Sequence, residues 1–406
     1  MLLERTVFCG AGQGWPSVPV IVRREGTHKK LILSDWCKKG DWMPEKGIIN
    51  TKQFVWMLFI IITSFVAMQL PGMLIMQAGR DAWLSVIGGW FGDIMLALVY
   101  AYMGIRFPGE NFVQYSITIL GKYLGRMVGI LFPLFFLLVC TILLRGLSQL
   151  VNTVFLPRTP FNVILVSSYL VCAYIGRKGI EVIARMTEIL GPLYFLSIIT
   201  LGFLVLPSFH IARLKPQFDE GMAPFLVGSS LALVCLGVCI MMGMYIPLCN
   251  RPEKGFLAKF SACSLGAFVL GLVTAVSVGI FGVEDAQYIL SPGLQIAKMI
   301  NFSNYFERVE MIWLLILVGS VIVGSSTLLW AFGQGVAQVA GLKTYQPLIY
   351  PAALLSMVID IVSFPSSLQH TSFLHYTFPI VGAFVETGLE LFLFAAALIL
   401  HKRGTA

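Results

Sequence analysis

Ten apolar stretches, most near the ~20 residues that a helix needs to cross ~30 Å of hydrocarbon, recur along this chain and decide what it can become. They lie near 54–76, 82–103, 127–151, 161–178, 184–206, 222–248, 257–281, 309–338, 347–364 and 378–400. Lipid offers no partner to a free N–H or C=O, so stretches of this kind read as helices, and the chain as an all-α membrane protein. With 57% hydrophobic and 12% charged residues and a mean hydropathy of +0.85, a soluble domain is excluded.

An even number of spans puts both termini on one side, and the Lys and Arg bias of the connecting segments selects that side. Fourteen cations fall on the terminal side, among them Arg106, Arg177, Lys178, Lys259 and Lys402. The opposite loops hold six: Arg80, Arg158, Arg213, Lys215, Lys298 and Arg308. Both termini are therefore expected in the cytoplasm. The net charge of +8 reports orientation, since its cations are strung along loops without base-stacking aromatics, and no nucleic-acid partner is expected. The eight Cys residues show no CxxC pair or metal-ligand spacing. Cys235 and Cys239 share a helix face without His or carboxylate neighbours, which points to packing; neither a metal nor a cofactor is expected.

Residues 1–42 stand apart from the membrane domain at 43–406. They carry Arg23-Arg24, Lys29-Lys30 and Lys38-Lys39 and lack the apolar core of a signal peptide. Two readings are open: a disordered cytosolic docking tail, or translated upstream sequence with Met43 as the start.

Ten spans suit a five-plus-five inverted repeat in which the first helix of each half is broken near the midplane to form a substrate site. The first span offers Gln69-Leu70-Pro71-Gly72, where proline removes a backbone donor and glycine relaxes the dihedral restriction. The sixth offers Gly228-Ser229-Ser230. These seven residues are the candidate ligand site. Taken singly, each break also fits ordinary helix packing, which favours Gly and Ser.

Asp93, Arg145, Glu188, Asp360, Glu386 and Glu390 fall within apolar stretches, where ionised groups must be paired or hydrated. Arg145 cannot discharge and requires a partner. Arg145, Glu188, Glu386 and Glu390 are expected to form a buried charge network, serving either a water or proton path or a structural ion pair. In the eighth span Ser325, Ser326 and Thr327 present successive hydroxyls, a candidate Na⁺ site or helix-contact residues bonding their own carbonyls.

Several ordered stretches carry a resemblance. They are Ala78-Gly79-Arg80-Asp81-Ala82-Trp83, Leu120-Gly121-Lys122-Tyr123-Leu124-Gly125, Leu156-Pro157-Arg158-Thr159-Pro160, Gly179 to Arg185, Leu214-Lys215-Pro216 with Glu220-Gly221, and Phe306-Glu307-Arg308-Val309-Glu310. In this order the chain resembles, over about residues 48–400, the spore germination B subunits, a ten-span branch of the amino acid–polyamine–organocation superfamily. The resemblance implies a leucine-transporter-like fold with broken first and sixth helices. It also implies assembly with germinant receptor A and C subunits in the inner membrane of the spore. The function it implies is recognition of a small nutrient, often an amino acid, that triggers germination. One departure is that Gly237-Val238-Cys239 carries no acidic residue after its glycine, as many relatives do.

A secondary transporter of amino acids or related small solutes shares this architecture and remains the alternative. An enzyme would need convergent nucleophile, base or metal ligands, and none is evident. The five His residues fall in tails or loops outside the ten spans, His370 and His375 without a third ligand nearby. The loop from Val283 to Phe306 reads as a lid, a partner surface or a helix lying on the membrane. Because residues 1–42 offer neither targeting nor a packable core, a chain beginning at Met43 is expected to accumulate and respond like the full one. Immunoblotting of spore membranes beside a germination assay checks this.

Overall fold

The computed structural model describes residues 6–7, 20–25, 28–31, 47–68, 70–219, 221–289, 291–299 and 309–404. The N-terminal extension, expected to lack regular structure, contains three short antiparallel strands, β1 (Thr6–Val7), β2 (Val20–Glu25) and β3 (His28–Leu31). The β-branched run Val20-Ile21-Val22 suits a strand, and β2 pairs with β3 from Glu25↔His28 to Val22↔Leu31.

From residue 51 onward the described chain is helical. The first span is described on either side of residue 69 as helix, α1 (Thr51–Met68) and α2 (Leu70–Ala78), and a short turn leads into the second, α3 (Ala82–Arg106). Two short helices, α4 (Phe112–Leu120) and α5 (Lys122–Gly129), precede the third span α6 (Leu131–Val154). Then come α7 (Phe161–Arg177) and α8 (Ile180–Leu204). The sixth span is α9 (Met222–Gly237), a 3₁₀ turn at Val238–Met241, and α10 (Met242–Tyr245). The seventh is α11 (Gly255–Phe281), followed by α12 (Val283–Ala286) and α13 (Pro292–Lys298), then the eighth, α14 (Val309–Ala340), and the ninth, α15 (Ile349–Ser363). The tenth is composite: α16 (Ser367–Ser372), α17 (Phe378–Gly382) and α18 (Glu390–Ile399), joined by π-helical segments at Phe373–Thr377 and Ala383–Leu389.

Among the described residues, eight helices are long and apolar enough to cross a membrane, and two shorter apolar helices, Thr51–Val66 and Phe161–Arg177, accompany them. The stretch read at 54–76 divides between Thr51–Val66 and the start of Leu70–Arg106, and the other stretches each overlap one of these helices. The third, sixth and eighth spans are mostly buried and the fifth and ninth mostly exposed. Apolar side chains such as Leu196, Phe203 and Val362 face outward, as a lipid-facing perimeter requires.

The helix contacts carry the repeat. Exchanging each helix with the one five places along turns the second–sixth contact into the seventh–first, and the fourth–eighth into the ninth–third. The second–seventh, third–eighth and fourth–ninth contacts return to themselves, and all of these contacts are present. The halves are also stitched through backbone. Ile49, just before α1, donates to the Leu248 carbonyl at 2.9 Å, and its own carbonyl accepts from the Asn250 amide at 3.0 Å.

The second–sixth crossing depends on glycine. A β-carbon on Gly89 would stand 2.6 Å from Ala232 Cβ and 2.7 Å from the Leu233 amide nitrogen, so α3 and α9 approach through backbone. Gly89→Ala must therefore push these helices apart and is expected to destabilise by ~1–3 kcal/mol. Gly271→Ala, where an added β-carbon meets nothing within 4 Å, should be neutral or slightly stabilising. Thermal unfolding of the detergent-solubilised protein compares the two.

Candidate functional site

The first span is helical up to Met68 and again from Leu70, with Pro71 removing one backbone donor in the second stretch. Leu70, Pro71 and Gly72 are buried, and Gln69 lies outside the described residues. A β-carbon on Gly72 would come 3.0 Å from the Ile289 carbonyl, so the segment after α12 presses on Gly72. The loop read as a lid is thus within the packed structure, with Leu294, Ile296 and Ala297 buried; residues 300–308 lie outside the described residues.

Beside the first span is an apolar cavity of ≈ 20 Å³. Phe65, Leu70 and Met73 line it from that span, Ile142, Leu143 and Gly146 from α6, and Cys235 from α9. The tenth span closes it with His370, Leu374 and Phe378. Neither ring nitrogen of His370 has a hydrogen-bond partner, the Ile142 carbonyl lying nearby but out of hydrogen-bonding geometry. The sequence placed His370 in a loop because its apolar run starts eight residues later, yet the ring is 1% exposed and belongs to the tenth helix. A space of this size admits about one water, so any larger ligand requires the half-helices or their side chains to move.

The sixth span departs from expectation. Gly228, Ser229 and Ser230 lie inside the continuous helix α9, and the irregular turn comes later, at Val238–Met241. Gly228 is a packing glycine whose β-carbon would meet Ser85 Oγ at 2.7 Å and Ala78 Cβ at 2.8 Å. Ser229 packs on Gly88, and Ser230, exposed, donates back to the Val227 carbonyl at 2.7 Å. Small residues here allow close approach to the second span, and no backbone groups are freed. Of the six described candidate ligand residues, Leu70 alone lines the cavity.

In the eighth span, Ser326 and Thr327 donate to the Ile322 and Val323 carbonyls of their own helix. Ser325 is fully buried and its hydroxyl has no partner. The neighbouring Gly324 admits Ser64 of the first span, whose Oγ would lie 3.0 Å from an added β-carbon. No group of three or more His, Cys, Asp or Glu among the described residues could hold a metal.

The expected network of Arg145, Glu188, Glu386 and Glu390 is two networks, and Glu188 belongs to neither. Glu188 is exposed on α8, where it accepts from Gln53 Nε2 at 3.1 Å. Arg145 pairs with Asp360 at 3.1 Å. Asp360 also accepts from the Tyr169 hydroxyl at 3.3 Å, Ser356 donates to that hydroxyl at 3.2 Å, and Thr141 lies 2.7 Å from Ser356. The Arg145 guanidinium covers the Phe161 ring at 4.7 Å, so third, fourth and ninth spans share one polar seam. On the side of the bundle nearer the termini, Lys259 Nζ bonds Asp93 at 2.9 Å, both fully buried, with the Tyr100 ring 4.3 Å from Nζ. Glu390 accepts from the Tyr115 hydroxyl at 2.8 and 2.9 Å, and the Glu386 carbonyl accepts from Tyr100 at 2.6 Å. In the sequence Lys259 reads as an orientation cation because it stands one turn inside α11. The lone acid Asp93 in its apolar stretch is the available signal that a cation has to join it.

With this geometry in place, the comparisons are decisive on kinship. The model of the family described as "Spore germination protein" matches residues 48–371. The chain belongs to that family. Its relatives include "Spore germination protein KB" of Bacillus subtilis (strain 168), 26% identical over 369 residues, covering 88% of this chain and 97% of the relative. "Spore germination protein YndE" of the same organism is 24% identical over 314 residues, covering 77% and 86%. Among solved structures, the nucleobase-cation-symport-1 family transporter Mhp1 in a closed conformation superposes with TM-score 0.67 at 13% identity, covering 89% of this chain and 81% of that one. A Na⁺-coupled sialic acid symporter superposes with TM-score 0.55 at 12% identity, covering 88% and 81%. These two likenesses establish the transporter fold of this family member.

Arg145→Leu leaves Asp360 uncompensated in a dry seam and is expected to cost ~3–5 kcal/mol, whereas Arg145→Lys keeps the charge and loses the planar fork. Combining Arg145→Leu with Asp360→Leu should recover much of the loss. Protein abundance and thermal unfolding across the four forms measure this, and full stability of the single Leu variant would show that the pair does not hold the bundle.

Proposed function

We propose that this chain is the permease-like B subunit of a spore nutrient germinant receptor. It binds a small nutrient, an amino acid in the first instance, within the membrane, and passes that occupancy on as a change of conformation. The observation that carries the reading is the cavity at Phe65, Leu70 and Met73 of the first span, bounded by the third, sixth and tenth spans and tipped by His370. An apolar chamber with one unspent hydrogen-bonding ring suits an apolar nutrient side chain more than a polyol. In this reading the chain sits in the inner membrane of the spore with both termini in the cytoplasm, surrounded by lipid and assembled with A and C subunits. Ligand need do no more than prefer one of two states, and the shift it produces is bounded by that preference.

Spores deleted for this gene, tested against amino acids, sugars and nucleosides, should lose response to one class only. Unchanged response to every class overturns the proposal. Saturable uptake of the identified nutrient by proteoliposomes would assign the chain to secondary transport instead.

His370→Phe keeps an aromatic ring, adds one carbon and removes both nitrogens. It should raise the nutrient concentration needed for half-maximal germination roughly tenfold, the effect of losing one buried hydrogen bond of about 1.4 kcal/mol, while abundance stays unchanged. Gly72→Val should act in the same direction by crowding the Ile289 carbonyl, whereas Gly228→Val should lower abundance because it separates α9 from α3.

A further inference from the structure

The polar cluster nearer the termini holds more acid than base. Asp93 and Tyr100 come from α3, Lys259 from α11, and Glu386 and Glu390 from the tenth span, with Tyr115 reaching in from α4. All three carboxylates and the ammonium are at least 99% buried. Three acidic groups thus face one cation in a region closed to solvent, and an isolated ionised carboxylate there would cost many kcal/mol.

The hydrogen bonds divide the acids. Asp93 is held by Lys259, and Glu390 by the Tyr115 hydroxyl, which reaches both of its oxygens. Glu386 has no such support: its Oε1 has no partner, and Tyr100 serves its backbone carbonyl instead of its side chain. Its other oxygen occupies the space that a β-carbon on Gly237 would fill. Gly237 is the last residue of α9, immediately before the 3₁₀ turn that bends the sixth span. Glu386 itself lies on the π-helical segment Ala383–Leu389, a departure from regular helix that recurs at functional sites.

We propose that this cluster is a proton-binding site and that Glu386 holds the proton at the bend of the sixth span. A metal cation would need several oxygen ligands around it, and no suitable group is assembled among the described residues. A proton needs only one oxygen. The titratable groups facing Glu386 are Asp93 and Tyr100 from the second span, Lys259 from the seventh, and Cys235 and Cys239 from the sixth, while Cys263, Tyr115 and Glu390 line the rest of the cluster. On the α6 side the tenth span meets rings, Phe135 stacking on Phe378. Lys259 is engaged by Asp93, so it does not neutralise Glu386 as well. While the bend keeps Gly237 over the carboxyl, the neutral acid is the form that fits; when the sixth span swings away, water reaches the oxygens and the proton can leave. Proton occupancy and the bend are therefore two readouts of one equilibrium.

Infrared spectroscopy of the full chain in lipid nanodiscs tests this directly. At neutral pH the wild type should show the carbonyl stretch of a protonated carboxyl, shifting in heavy water and moving with glutamate-selective ¹³C labelling. Glu386→Gln should abolish the band, while Glu390→Gln and Asp360→Asn should keep it. No band in the wild type, a band insensitive to glutamate labelling, or survival of the band in Glu386→Gln overturns the proposal. Should Glu386→Gln fail to accumulate, the labelled wild type and Glu390→Gln decide the matter. Glu386 and Glu390 are the two buried glutamates among the described residues, so a labelled band lost in Glu390→Gln would place the proton there and overturn the assignment.

Discussion

Hydrocarbon has no hydrogen bonds to lend, and every irregularity in this bundle is placed accordingly. The first helix can carry Pro71, which removes a backbone donor, because that stretch is enclosed: by the segment after α12 on one side, and by the third, sixth and tenth spans on the other. The sixth helix bends through a 3₁₀ turn, which keeps most backbone groups paired while changing direction. Departures from regular helix on the lipid-facing fifth and ninth spans would have no such cover, and α8 and α15 run without a break.

The buried ion pairs follow the same logic at the level of side chains. Arg145 to Asp360 joins the third span to the ninth, and Lys259 to Asp93 joins the seventh to the second. Each pair bridges the two halves of the repeat, so neither half can complete its charges alone. Replacing such pairs by apolar residues can leave a fold as stable, whereas removing one partner does not. Their contribution is to specify which helices meet. That specificity matters where the remaining contacts are largely interchangeable Leu, Ile, Val and Phe.

How much of this is legible in the sequence follows from which forces write plainly into it. Hydropathy shows the ten apolar stretches directly, since each must present apolar atoms all round or nearly so. Pro71-Gly72 stands out in the first span because proline removes a backbone donor wherever it sits, yet both residues lie within α2 and residue 69 lies outside the described residues. Gly228-Ser229-Ser230 misleads because small residues serve close helix approach and helix opening alike, and here Ala78 and Ser85 occupy the space in front of Gly228. The true bend at Val238–Met241 is written in Val, Cys, Ile and Met, a run with no breaker in it; its cause is tertiary. Arg145 visibly needs a partner, but charge partners from distant helices cannot be read off one sequence, and Asp360 lies 215 positions away. The ordered motifs that carry the resemblance turn out to shape loops. Asp81 accepts from the Phe218 amide at 2.9 and 3.1 Å, and Arg80 donates to the Lys215 carbonyl, so two of those stretches meet at one end of the bundle.

The tenth span has two π-helical segments, at Phe373–Thr377 and Ala383–Leu389. A π turn is a helix with one residue too many, and everything beyond it is rotated relative to a regular helix. The orientations of Phe378, Glu386 and Glu390 thus depend on length as well as identity. In the evolution of such chains, the gain or loss of a single codon in this helix re-aims a whole face at once. Sequence alignments that smooth such a gap into a neighbouring loop would pair non-equivalent residues, so the tenth helix has to be compared between relatives by spatial superposition.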